Sequence, residues 1–331
     1  MTPLQRRPSS PPWLPRRSLL RAGLGACLAP LAACAPPVPT LRVGVIVFPG
    51  YEPLFVAREA GRVDPHVVRL VEMRSSTDTQ QALGVRQLEA AAMTLDEVLV
   101  CRAEGLDLRV VAVLDESAGA DAVVARAPWR VPRDLAGRRV GVEAGAVSAV
   151  MLDAMLQSAG LGAHDIIKVP VTQATAVRLW DERRLDAVVT CEPFVSALER
   201  GGATRVFDSS AVPGRIVDVL AVTAEAIERQ PQSVQRLVAA HFDGLRLMRA
   251  QPAEAAQVVA TRLRVPPAEV PAAFRGLHQP DVAQVRALLG GDALRRSAEA
   301  LRQLMLAQGL LPRDPGAVDR LVDPRFLPVE S

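Results

Sequence analysis

Residues 41–60 read LRVGVIVFPGYEPLFVAREA, and they contain one complete strand–turn–helix unit. Leu41–Phe48 is apolar, alternating and rich in β-branched residues, the pattern of a buried strand. Pro49-Gly50 ends it, and Glu52–Ala60 has a helical spacing closed by Gly61. The same grammar then repeats. Val67–Met73 is a strand, and Ser75-Ser76-Thr77-Asp78 offers several N-caps to a helix running to about Gln87. Leu88–Met93 is a short strand, and Thr94-Leu95-Asp96-Glu97 has the capping-box form that opens a helix ending before Gly105. Leu108–Leu114 and Ala122–Ala125 are further strands. Strands alternating with helices of about a dozen residues predict parallel-rich sheets of βαβ units, an α/β protein.

A second run begins after Pro128 and Pro132, with strands at Arg139–Glu143, Ile166–Val171 and Leu185–Thr190 and helices at Val147–Ala159 and Ala174–Arg183. Glu192-Pro193 starts another helix, with proline in the tolerated first turn. Ile216–Thr223 is strand-like, and from Glu225 onward the chain reads helical, punctuated by Pro231, Pro252, Pro266-Pro267 and Pro271. Two α/β segments and a helical C-terminal tail predict two lobes with a cleft between them. Ligands of open α/β sheets collect at the carboxyl ends of the strands, so the strand-to-helix loops are where a site is expected.

The N-terminus carries a different message. Residues 18–33 are apolar, follow Arg16-Arg17 and end in Leu31-Ala32-Ala33-Cys34. A spanning helix needs ~20 apolar residues, and Gly23, Gly25 and Pro30 interrupt this stretch. A removable signal over residues 1–33 fits better, with Cys34 as the acylated (palmitate-bearing) first mature residue and residues 34–40 as a lipidated, proline-rich linker. Pro15-Arg16-Arg17-Ser18-Leu19-Leu20 resembles a twin-arginine export signal. The expectation is a protein on the extracytoplasmic face or in the periplasm, membrane-anchored by lipid.

Composition narrows the function. The chain has 331 residues and a formal charge of +3, but residues 1–33 hold five arginines and no acid, so the mature chain falls to −2. Lys168 is the sole lysine. Nothing here argues for nucleic acid. Cys101 and Cys191 remain beside Cys34, and no disulfide is expected between them. His66, His164, His241 and His278 are dispersed, with no metal-ligand spacing. No phosphate loop or nucleophile elbow appears. No cofactor, metal or catalytic residue is therefore expected.

Several loop segments carry a resemblance: Pro49-Gly50-Tyr51-Glu52-Pro53-Leu54, Thr94-Leu95-Asp96-Glu97, Gly105-Leu106-Asp107-Leu108-Arg109-Val110-Val111, Gly119-Ala120-Asp121-Ala122, Gly141-Val142-Glu143, Glu192-Pro193-Phe194, and Phe207-Asp208-Ser209-Ser210 through Pro213-Gly214 to Asp218-Val219-Leu220. The chain resembles the solute-binding proteins of nitrate/taurine/alkanesulfonate ABC importers, related in fold to binders of thiamine-pyrimidine precursors. The resemblance implies a periplasmic-binding-protein fold whose chain crosses between lobes twice, near Ala125–Pro128 and near Asp218–Ala221. One lobe then holds 41–125 with 219–331, and the other holds 126–218. It also implies hinge closure on a small-molecule ligand, delivery to ABC permease subunits and a monomer. Cys191 and Glu116-Ser117-Ala118-Gly119 depart from the relatives' aromatic and Tyr-Ser-Asn-Gly loop. A ligand-sensing module for signalling is the alternative, and an enzyme like the pyrimidine-forming members of the fold is a third reading.

The expected ligand-binding residues are Tyr51, Glu52, Ser75, Ser76, Thr77, Thr94, Asp96, Glu116, Ala146, Ser148, Glu192 and Asp218. Ser75, Ser76 and Thr77 start a helix, where an anionic group is favoured, although helix capping alone explains such a run. Tyr51, the sole tyrosine, is a stacking candidate. Glu52, Asp96, Glu116 and Glu192 put carboxylates around one cleft, which repels a bare oxyanion and suits an amine-bearing, zwitterionic or pyrimidine-like ligand. Loop acids facing solvent are the plainer reading. Asp218 interrupts an apolar strand and needs a partner, either in the hinge or in a ligand.

Overall fold

The computed structural model describes residues 39–145 and 147–329. The expected export signal, Cys34 and Ala146 lie outside the described residues. The chain opens with β1 (Leu41–Val45), α1 (Glu52–Glu59), β2 (Val68–Glu72), α2 (Ser76–Gly84), β3 (Ala90–Thr94), α3 (Leu95–Ala103) and β4 (Leu108–Ser117). It continues with β5 (Asp121–Ala125), β6 (Arg139–Val142), α4 (Val147–Ala159), β7 (Ile167–Pro170), α5 (Gln173–Asp181), β8 (Ala187–Cys191), α6 (Phe194–Arg200) and β9 (Thr204–Asp208). After β10 (Val217–Thr223) the tail holds α7 (Ala224–Arg229), α8 (Pro231–Ala250), α9 (Pro252–Leu263), α10 (Val270–Ala273), β11 (Leu277–His278), α11 (Val282–Gly290) and α12 (Ala293–Ala307).

These strands form two mixed sheets, ordered β11-β4-β10-β3-β1-β2 and β7-β6-β8-β5-β9. Each contains one strand that enters from the other lobe and runs antiparallel to both its neighbours. β10 does so between β3 and β4, and β5 does so between β8 and β9. The chain therefore passes between sheets at residues 118–120 and 209–216. Both crossings differ from the expected places. β5 belongs to the second sheet, so the first crossing precedes Asp121 and Pro128 is a turn inside the second lobe. Asp218–Ala221 lies within β10, already part of the first sheet.

The reason is local. Ser209 Oγ accepts from the Gly119 N–H at 2.6 Å and lies 2.8 Å from Ser117 Oγ, binding the two crossings to one another. Gly276 packs so closely on this segment that a Cβ there would lie 2.7 Å from the Gly119 carbonyl carbon. Its φ of +80° also favours glycine. Pro128 and Pro132 are the louder punctuation in the sequence, but these small residues make the crossing. β9, absent from the sequence reading, is half-buried along its length and carries Arg205, so its alternation is weak.

The tail helices complete the first lobe. Val285, Leu289, Leu301 and Leu321 join the core formed by Leu41, Val43, Met93, Val110 and Leu220. At roughly 1.5–3 kcal/mol for each fully buried aliphatic side chain, the tail is part of what holds this sheet together. No helix among the described residues is long and apolar enough to cross a membrane.

Candidate functional site

Register brings the polar groups together. On the first sheet, Asp218 of β10 stands opposite Thr94 of β3 on one side and Asp115 of β4 on the other. On the second sheet, Asp121 of β5 stands opposite Cys191 of β8. β3, β4 and β8 present their carboxyl ends here, and β5 and β10 their starts, so the two rows meet where the chain crosses. The first turn of α3 adds Asp96 and Glu97. The result is five acids, Asp96, Glu97, Asp115, Asp121 and Asp218, none more than 5% exposed.

No arginine, lysine or histidine among the described residues is paired with any of the five. Burial raises them all. Asp96 and Asp121 move up to about 6, and Glu97 and Asp115 up to about 8, in each case chiefly through loss of water. Asp218 rises well above the ordinary carboxyl range, through burial first and then through the charges of Asp115 and Asp121. An ionised carboxylate without a partner is costly to keep in such surroundings, so each group holds its proton to a higher pH than it would in water. Some satisfaction is built in: the Tyr51 hydroxyl donates to Asp218 Oδ1, and Glu97 Oε2 accepts from the Thr94 N–H at 3.1 Å. Asp96 Oδ2 and Glu97 Oε1 have no hydrogen-bond partner.

The residues expected from sequence distribute as follows. Thr94, Asp96 and Asp218 belong to this group, and Ser76, buried in the first turn of α2, stands beside Glu97. Tyr51 is 2% exposed, with its ring edge-on to Phe48 and its hydroxyl on Asp218, so it supports the group from below instead of offering an open face for stacking. Ser75 caps α2, accepting from the Asp78 N–H at 3.0 Å. Thr77 donates from N–H and Oγ1 to Glu143 Oε1 at 3.0 and 2.8 Å, a contact between the lobes. Ser148 is half-buried in the first turn of α4.

Three acids go elsewhere. Glu52 is fully buried against Arg262, whose Nε lies 3.0 Å from both carboxylate oxygens, a tie between α1 and α9. Glu116 turns away from its buried neighbours Asp115 and Ser117 and accepts from the Gly214 N–H at 3.0 Å. Glu192 accepts from Ser196 N–H and Oγ and lies 3.7 Å from Arg205, lining a 370 Å³ cavity beside the first crossing with Gly119, Glu199 and Asp208. These three acids are therefore not solvated loop groups; each has a partner.

Glu97, Asp115 and Asp121 were missed. Glu97 was visible only as the closing residue of a capping box. Asp115 and Asp121 lie at strand ends, and the usable signal was an acid placed two residues from apolar positions of the same buried strand. Cys191, noted as a departure, sits among the carboxylates of Asp121, Asp218, Glu192 and Glu143, and burial with those charges raises its thiol well above its ordinary value. Cys101 and Cys191 are both free.

A model of the NMT1-like family matches residues 34–264. A protein of Brucella abortus named only as a binding protein is 23% identical over 260 residues, 76% of this chain and 79% of the relative. The alkanesulfonate-binding protein SsuA of Xanthomonas axonopodis pv. citri, solved with MOPS bound, superposes with a TM-score of 0.73 at 21% identity, covering 86% of this chain and 98% of that one. The desulfurization enzyme DSZB superposes with a TM-score of 0.65 at 21% identity, over 87% and 97% of the two chains. These likenesses are to the two-lobed periplasmic-binding-protein fold, which thus hosts both binders and an enzyme.

Proposed function

The chain belongs to the NMT1-like family, and from that premise we propose that it is the extracytoplasmic solute-binding component of an ABC-type importer. It captures a small organic cation, or a compact molecule rich in N–H donors, by closing its two lobes, and it delivers that solute to permease subunits. Cys34 holds it to the membrane by lipid. The observation that carries the ligand class is the group of five buried acids at the lobe junction, with no basic partner among the described residues.

In a low-dielectric site a cation is worth far more to such a group than it is in water. An amine, an amidine-like aminopyrimidine or the ammonium end of a zwitterion supplies both the charge and the donors that Asp96 and Glu97 lack. A bare nitrate or sulfate supplies neither. Catalysis of a thiolate kind is disfavoured, because burial and the carboxylates of Asp121, Asp218, Glu192 and Glu143 keep the Cys191 thiol protonated.

Calorimetry on the purified protein tests this with putrescine, 4-aminopyrimidine, taurine, methanesulfonate, sulfate and nitrate. Binding of one or more nitrogen bases, coupled to a raised melting temperature, is expected. Tight binding of nitrate or sulfate with no response to the bases would overturn the ligand class.

A further inference from the structure

We propose that Glu143 is a specificity-determining residue, a built-in anion that keeps oxyanionic ligands off the first turn of α2. The inference rests on the cationic ligand class proposed above and sharpens it. The start of α2 is the place in the cleft best suited to a negative group, since free N–H donors and the helix dipole converge there. In this chain the negative group is already present. Glu143 Oε1 takes the Thr77 N–H at 3.0 Å and the Thr77 hydroxyl at 2.8 Å. Ser75 Oγ takes the Asp78 N–H at 3.0 Å.

The placement is fixed from both sides of the cleft. Glu143 directly follows β6, at the carboxyl end of a second-lobe strand. One turn along α2, Gln80 Nε2 donates to the Gly145 carbonyl at 2.8 Å, so the same loop is held twice. Val150 of α4 also enters the core of the first lobe. An arriving sulfonate would have to displace Glu143 and then remain beside it, with Asp78 in the same first turn of α2 and Glu97 of α3 next to Ser76. A cation meets no such conflict.

The test compares wild type with Glu143→Gln and Glu143→Ala by calorimetry, using methanesulfonate and sulfate on one arm and putrescine and 4-aminopyrimidine on the other. Gln keeps an acceptor for Thr77 and removes the charge, so at least that variant retains the lobe contact. Melting curves confirm that each variant is folded. Methanesulfonate affinity is expected to rise about tenfold or more in Glu143→Ala, the gain of a charge-assisted site, and to fall again when Thr77→Val is added. Unchanged oxyanion affinity in both variants overturns the role of Glu143 and leaves the ligand class standing. A gain for methanesulfonate in the variants, with no nitrogen base bound by wild type, supports Glu143 and overturns the ligand class. Tight methanesulfonate binding by wild type, equal in the variants and with no nitrogen base bound, overturns both.

Discussion

Asp115 and Asp218 stand opposite one another on β4 and β10, each raising the other's burden of buried charge, and Gly50 packs so near that a Cβ on it would touch the Asp115 carboxylate. A neutral amide relieves the acid without changing its shape. Asp115→Asn is therefore expected to raise the melting temperature of the ligand-free protein at pH 8 by roughly 2–4 °C, the shift that about 1 kcal/mol makes in a chain of this size. The same change should weaken binding of a nitrogen base about tenfold. A lower melting temperature with unchanged affinity would mean that Asp115 serves packing alone. At the N-terminus, Cys34→Ser is expected to move the protein from the membrane fraction to the soluble one. Retention in the membrane with the signal uncleaved would overturn the lipid anchor. Single residues were legible where their signal is local, as with Ser75 at a helix start. Glu52 was not, because the partner that removes it from the cleft, Arg262, lies 210 residues away.

At the scale of elements, the packing of α1 against α8 and α9 offers two measurements. Arg262 lies over the Phe55 ring, 3.2 Å from its centroid, and pairs with both Glu52 and Glu72. Arg262→Ala leaves a fully buried carboxylate alone, which costs roughly 3–5 kcal/mol. Glu52 is held up to about 7 by burial even beside its arginine. The loss measured by denaturant titration should therefore be larger at pH 8 than at pH 6, where Glu52 takes up a proton. Ligand affinity should stay within about twofold, because this pair is separate from the carboxyl group at the lobe junction. Gly244 is the second case: a Cβ there would come within 1.8 Å of the Pro53 carbonyl oxygen. Gly244→Ala should destabilise by roughly 1–3 kcal/mol through overpacking, and a neutral or stabilising result would mean that α8 can slide on α1. Element order was readable in the sequence because hydrophobic period and capping are local. α4 occupies the expected residues, Val147–Ala159, and the capping box at Thr94 opens α3. Sheet membership was not, because nothing local in Asp121–Ala125 says which sheet will accept it.

For the whole molecule, the acids make a signed prediction about pH. In the folded protein Glu97 and Asp115 keep protons up to about 8, and Asp96 and Asp121 up to about 6. In the unfolded chain all four release them near pH ~4. The folded state thus holds more protons between those limits, so the stability they contribute is complete below about pH 4 and is lost as pH rises through 6 to 8. The ligand-free melting temperature should fall over that interval, and Glu97→Gln with Asp115→Asn should flatten the decline. A flat profile in the wild type would mean that the five acids are ionised and paired in solution. The two-lobed plan was legible because two βαβ runs and a helical tail are long-range regularities. The charge state was not, since it depends on which acids the register of β3, β10 and β4 puts side by side.

On the proposed solute-binding role, the unpaired acids make uptake an exchange. If the junction is held neutral by protons when empty, a cation entering it must expel some of them, and capture becomes an exchange of hydrons for solute with a definite stoichiometry. Calorimetric heats would then differ between Tris and phosphate at one pH in proportion to the protons released. The solute would be gripped more firmly in alkaline surroundings and let go more readily in acid ones.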